Sequence, residues 1–137
     1  MRVVLPLTFQ IIYLCPGEFT AACAAGAFSF DDGIKIVRAR GQAMAAAAAR
    51  QEGGMVAVTA AAAAHKVIER EFGGRMTPAN VLAEGVVVYA GRMSHCVELL
   101  AFCGGGGKVR ARASRVPVAG AFHSPLMQVY CGCYALI

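Results

Sequence analysis

The sequence predicts a mixed α/β protein built around a β-α-β-β-α-β unit, and three observations predict it. Between residues 55 and 115, short apolar runs with strand character alternate with helical patterns in that order. Glycines punctuate the joints, at 53–54, 73–74, 85 and 104–107. The run 108–114 alternates strictly, with Val109, Ala111 and Ala113 on one face and Lys108, Arg110 and Arg112 on the other. This order of elements is that of a ferredoxin-like subdomain.

At 137 residues the chain is one domain's worth or less. It is 58% hydrophobic and 15% charged, which excludes a disordered chain. Much of the apolar count is alanine, which buries little area per residue, so the core is expected to be thin. The net charge of +5, from 13 basic and 8 acidic side chains, suits an anionic ligand or acidic partner without demanding nucleic acid. Six cysteines at 15, 23, 96, 103, 131 and 133 form no C-x-x-C pair, and they read as reduced thiols of an intracellular protein. No apolar run is long enough to span a bilayer. The apolar start followed by small residues at 21–25 has the outline of a signal peptide, but a buried strand accounts for the same run.

Taken in order, 3–7 is apolar but broken by Pro6, and 9–14 reads as a short buried strand. Tyr13-Leu14-Cys15-Pro16-Gly17-Glu18 follows as a sharp turn into a helix over 18–25, stopped by Gly26. Ser29 with Asp32 three residues on marks the next helix start. That helix carries Ile34, Val37, Gly41, Met44 and Ala48 on one stripe and is expected to end near Gly53-Gly54. Arg38 and Arg40 flank the stripe. Strands are expected at 55–59, 77–82, 86–90, 108–114 and 116–121, and helices at 60–72 and 92–103. His65 is expected on a solvated helix face. The tail 128–137 has no clear pattern.

Three stretches carry a family resemblance. The first is Gly17-Glu18-Phe19-Thr20-Ala21, continued by Ala25-Gly26-Ala27-Phe28-Ser29-Phe30-Asp31-Asp32-Gly33 and by Val37-Arg38-Ala39-Arg40-Gly41-Gln42-Ala43-Met44. The second comprises Gly53-Gly54-Met55-Val56-Ala57-Val58, Thr77-Pro78-Ala79-Asn80 and Gly85-Val86-Val87-Val88-Tyr89-Ala90-Gly91. The third is Val116-Pro117-Val118-Ala119-Gly120-Ala121-Phe122-His123-Ser124-Pro125-Leu126-Met127. Together and in order, they resemble the malonyl-CoA:acyl-carrier-protein transacylases over about 17–127. The resemblance implies a partial acyltransferase α/β-hydrolase-like core plus the ferredoxin-like subdomain. Residues 1–54 are then part of the large subdomain, 55–115 the small subdomain, and 116–137 a return to the large one.

It also implies transfer of malonyl from coenzyme A to the phosphopantetheine thiol of acyl carrier protein, in fatty-acid or polyketide synthesis, through an acyl-enzyme. Coenzyme A and phosphopantetheine enter as substrates, with no bound cofactor and no metal. By position, the nucleophile falls on Cys15, the catalytic histidine on His123 and the carboxylate-binding arginine on Arg40. The chemistry suits those types. An imidazole takes and returns a proton near neutral pH, a guanidinium fork grips a free carboxylate, and a thiolate attacks a thioester.

The turn departs from the family's G-H-S-L-G-E: Tyr13, Leu14, Cys15 and Pro16 stand at its first four positions. Proline has no N–H to offer an oxyanion. Leu82 replaces the family's second asparagine after Asn80. The family's Gly-Gln-Gly stretch has no counterpart, so the chain is expected to be a truncated member. The alternative is a non-catalytic remnant that binds acyl carrier protein or a larger subunit. Partners expected are malonyl-CoA and acyl carrier protein, with no nucleic acid and no membrane, in the cytoplasm, a plastid or a mitochondrion. An RNA-binding ferredoxin-like domain is disfavoured because Tyr89 stands without a second stacking aromatic. His95-Cys96 with Cys131 and Cys133 has no common zinc spacing. Lys108, Arg110, Arg112 and Arg115 read as a basic stripe, either solvated or facing phosphates or an acidic protein.

Overall fold

The computed structural model describes residues 17–104 and 108–130, the last three as backbone alone. The runs at 3–7 and 9–14, together with Cys15, Cys131 and Cys133, lie outside the described residues. The chain forms two compact units, Met1–Gln42 and Ala43–Ile137.

In the first unit, helix α1 (Gly17–Ala24) closes as the sequence predicts. Gly26 takes φ +77° and donates its N–H to the Cys23 carbonyl, while Ala27 N–H reaches the Ala22 carbonyl. These two bonds satisfy two of the carbonyls left free at the helix end. Helix α2 (Phe30–Ala48) starts at the expected cap. Ser29 Oγ accepts the Asp32 N–H at 3.1 Å and donates to the Asp32 carboxylate at 2.6 Å. The Ser29 hydroxyl, and then Lys35, hold the Asp32 carboxyl below the usual carboxylate range. Along the predicted apolar stripe, Ile34 and Val37 are open to solvent. α2 stops at Ala48, short of the glycine pair, because Gly53 and Gly54 already belong to a strand.

The second unit holds the predicted ferredoxin-like order. It comprises β1 (Gly53–Ala60), α3 (Ala62–Phe72), β2 (Met76–Ala83), β3 (Val86–Arg92), α4 (Met93–Cys103) and β4 (Ala111–Val116). The strands make one antiparallel sheet in the order β2-β3-β1-β4. One face packs on α3 and α4, through Val56, Val58, Tyr89, Ile68, Phe72, Cys96 and Leu99. The helices supply these contacts at i, i+3 and i+7, with His65, Ile68 and Phe72 from α3 and Cys96, Leu99 and Cys103 from α4. Val109, Ala111 and Ala113 pack against this core, as their alternation predicts. The opposite face is covered by a smaller group, Met55, Val88, Ala90 and Ala121, with Val118, Phe122 and Leu126 beside it.

Three expectations need correction. His65 is buried, 7% exposed, and does not face solvent. Its phase on α3 is that of Ile68 and Phe72, so it points at the sheet. The expected strand over 116–121 is absent: β4 ends at Val116 and residues 117–121 form no ladder. Pro117 has no N–H to donate. Finally, Arg115 leaves the basic stripe. It pairs with Val56, whereas Arg112 pairs with Thr59, and the odd separation puts Arg112 and Arg115 on opposite faces.

Candidate functional site

The segment after β4 returns across the outer face of the sheet as an irregular loop and then a short 3-10 helix, Pro125–Tyr130. Its side-chain hydrogen bonds come from Ser124. This side chain is 8% exposed, donates Oγ–H to the Ala121 carbonyl at 2.6 Å, and accepts the Leu126 N–H at 3.3 Å. Serine followed by proline is a helix-start signal, with a capping oxygen and then a residue that needs no N–H partner. Sequence reasoning missed that signal. Ala121 is 2% exposed and sits against the start of β1, where a side chain on Gly53 would come within 2.8 Å of its Cβ. Only glycine permits that approach. Gly120 in turn lies against Ala48.

Between these anchors stands His123. It is exposed and has φ +58°, the one positive φ of a non-glycine among the described residues. Histidine is among the few types that adopt this region at all. The anchors on either side therefore impose a backbone that displays the imidazole outward, unencumbered by any side-chain hydrogen bond to another described residue. A small cleft of about 110 Å³ beside the loop includes Arg75, Arg92, His95 and Ser124 in its wall. It falls well under the ~300 Å³ at which ligand pockets begin.

Arg40 lies on α2 in the other unit, half-buried, with its guanidinium carbon 5.7 Å from the centre of the Phe19 ring. Phe19 also lines an apolar groove of about 400 Å³ between α1 and α2, together with Cys23, Phe30, Ile34 and Val37. Arg40 and His123 thus fall in different units, and each is fixed within its own. Cys15, the expected nucleophile, lies outside the described residues.

Other titratable groups are placed for structure. Burial pushes the Cys96 and Cys103 thiols up, which makes them poor nucleophiles. His95 points Nδ1 at the Arg75 carbonyl, 3.3 Å away, and no metal-binding cluster occurs among the described residues. His65 ties α3 to β3 and to the turn between β2 and β3. Its Nε2 lies 3.1 Å from the Gly85 carbonyl and its Nδ1 2.9 Å from the Tyr89 hydroxyl. A carbonyl only accepts, so Nε2 carries the proton in this tautomer and Nδ1 accepts from Tyr89. Sequence reasoning missed this pair too, and its members lie far apart in the chain.

No family model matches the chain. Individual proteins do. The spectinabilin polyketide synthase system protein NorA' of Streptomyces orinoci is 40% identical over 109 residues, which are 80% of this chain and 3% of that protein. The malonyl CoA-acyl carrier protein transacylase of Staphylococcus aureus is 34% identical over 125 residues, covering 82% of this chain and 37% of the enzyme. Among solved structures, the malonyl CoA-acyl carrier protein transacylase of Burkholderia pseudomallei superposes with a TM-score of 0.75 at 30% identity, over 88% of this chain and 40% of that one. The chain thus spans well under half the length of these relatives. No helix among the described residues is long and apolar enough to cross a membrane.

Proposed function

We propose that this chain, whose homologues are malonyl-CoA:acyl carrier protein transacylases and polyketide-synthase acyltransferase domains, takes part in malonyl transfer from coenzyme A to acyl carrier protein. The observation that carries the reading is His123. Strained backbone in a non-glycine residue gathers at working sites, where the surroundings over-determine it. Here a buried serine and a close glycine contact do so, and the residue held in that conformation is one that can move a proton near neutral pH.

In this reading His123 takes the proton from the thiol of Cys15 as the thiolate attacks the thioester carbonyl of malonyl-CoA. The C–S bond to coenzyme A breaks, and its thiolate leaves with the proton from the imidazolium. The phosphopantetheine thiol of the carrier then attacks the acyl-cysteine, with His123 again taking and returning a proton. Arg40 grips the free malonyl carboxylate, its fork steadied by the Phe19 ring. Malonyl-CoA and the carrier arm are substrates, so the transfer calls on no resident cofactor.

Incubation with malonyl-CoA followed by intact-mass measurement tests this. One malonyl adduct per chain is expected, absent in Cys15→Ala and formed on the order of 10²–10⁴ times more slowly in His123→Ala. Arg40→Ala is expected to lose the preference for malonyl over acetyl. An unmodified chain, under conditions that label an intact transacylase, would end the catalytic reading. Pro16 favours a second one, since it withholds the N–H that an oxyanion needs beside Cys15. That reading is a non-catalytic module for acyl carrier protein, and it requires saturable carrier binding at low salt without any adduct.

A further inference from the structure

We propose that Ser124 is the positioning residue for His123. Its hydroxyl clamp sets the left-handed backbone from which the imidazole is presented. The inference rests on the assignment of His123 as the base.

The geometry leaves the serine little other purpose. Ser124 is buried, yet its oxygen reaches no other side chain among the described residues. Both of its bonds are to backbone, one on each side of His123. The donor bond to the Ala121 carbonyl spans the histidine and fixes the distance between residues 121 and 124. The bond accepted from Leu126 N–H, joined by Met127 N–H to the Ser124 carbonyl at 3.0 Å, fixes where the 3-10 helix begins. Ala121 cannot retreat from Ser124, because it is packed against β1 at Gly53. With both ends held, residue 123 must close the turn with φ +58°, a region that a residue with a Cβ otherwise avoids. Loss of the Oγ–H donor frees the Ala121 carbonyl, and residue 123 can relax toward negative φ. The imidazole then leaves its present direction while the sheet remains as it is.

The test uses the full chain and two independent readouts. The first is the three-bond HN–Hα coupling of His123, which reports φ directly. Ser124→Ala is expected to shift the equilibrium between left-handed and negative φ at residue 123 about tenfold toward negative φ, the effect of one net hydrogen bond. Ser124→Thr, which keeps the hydroxyl, should restore it. The second is a double-mutant cycle in thermal stability with His123→Gly, since glycine takes positive φ without penalty. If Ser124 works by holding that φ, its replacement costs clearly less Tm in the parent, where residue 123 relaxes and recovers strain, than in the glycine background, where there is none to recover. An unchanged coupling in Ser124→Ala overturns the proposal. So do strictly additive Tm shifts, which would make the hydroxyl a general loop bond indifferent to residue 123. Malonyl transfer separates the two levels: Ser124→Ala should lower kcat with little change in KM. Should His123→Ala transfer malonyl as fast as the parent chain, the base assignment fails, and Ser124 is then a turn residue with nothing catalytic to position.

Discussion

Tyr89 is 1% exposed, and its hydroxyl donates to His65 Nδ1. Burial first, then the Glu69 carboxylate, pushes its phenol from 10.0 to about 12. The folded value lies above the unfolded one, so the stabilising contribution is complete below pH 10 and is lost as pH rises through 12. Screening by nearby solvent holds that contribution to at most about 2 kcal/mol. Alkaline unfolding followed by circular dichroism should therefore show a loss of stability over that window. Tyr89→Phe should abolish the part due to this group, and at neutral pH should cost about 1–3 kcal/mol by leaving His65 Nδ1 without its donor. A Phe variant with the same alkaline profile as the parent would contradict the assignment. The burial of His65 has the same physical root. Its position three and seven residues before Ile68 and Phe72 was legible as a core phase. Its partners were not, because a turn carbonyl and a strand hydroxyl twenty and more residues away come together only through tertiary packing. Ser124 differs: the Ser-Pro pair was a local signal and could have been read.

Elements whose ends are written in local chemistry were legible. Gly26 closes α1, Ser29 opens α2, and Gly85 turns β2 into β3 with φ +74°. The cap predicts that Ser29→Ala lowers helicity in the first turns of α2, at about 1 kcal/mol of helix stability. Amide exchange at Asp32 and Gly33 is the local check, because both N–H groups now end on Ser29. The Asp32 carboxylate adds its support above the usual carboxylate range and withdraws it as pH falls through its lowered value, so first-turn protection should weaken in acid. Strand ends were less legible. Val116 to Ala121 is apolar enough for a strand, yet the ladder stops where Pro117 brings no donor. The loop beyond that stop is the one on which the candidate base stands. Both sheet edges are defended in ways the sequence does contain: β2 has Pro78 and two register shifts against β3, and β4 has exposed Arg112 and Arg115.

At the scale of the whole chain, burial is uneven between the two units. The ferredoxin-like order was readable because each of its elements carries its own period and its own punctuation. Arg40 and His123 could be proposed together only through sequence order, since residues drawn from separate segments share no local period. The second unit contains the largest fully buried side chains among the described residues: Val56, Val58, Ile68, Tyr89, Cys96 and Leu99. In the first, α1 buries no residue, and Phe30 and Ile34 are 71% and 53% exposed. Opening free energy follows buried apolar contact, so the two units should not unfold together. Native-state hydrogen exchange is expected to place the slowest amides in β1, β3 and α4, near the global stability. Those of α1 and the first half of α2 should exchange at least tenfold faster, the equivalent of about 1.4 kcal/mol. Leu99→Ala, which removes a fully buried side chain, should cost about 2–5 kcal/mol and speed the slow set, while leaving exchange in α1 almost unchanged. A single rate class across both units, accelerated together by Leu99→Ala, would instead mean that α1 and α2 draw their stability from the same core as the sheet.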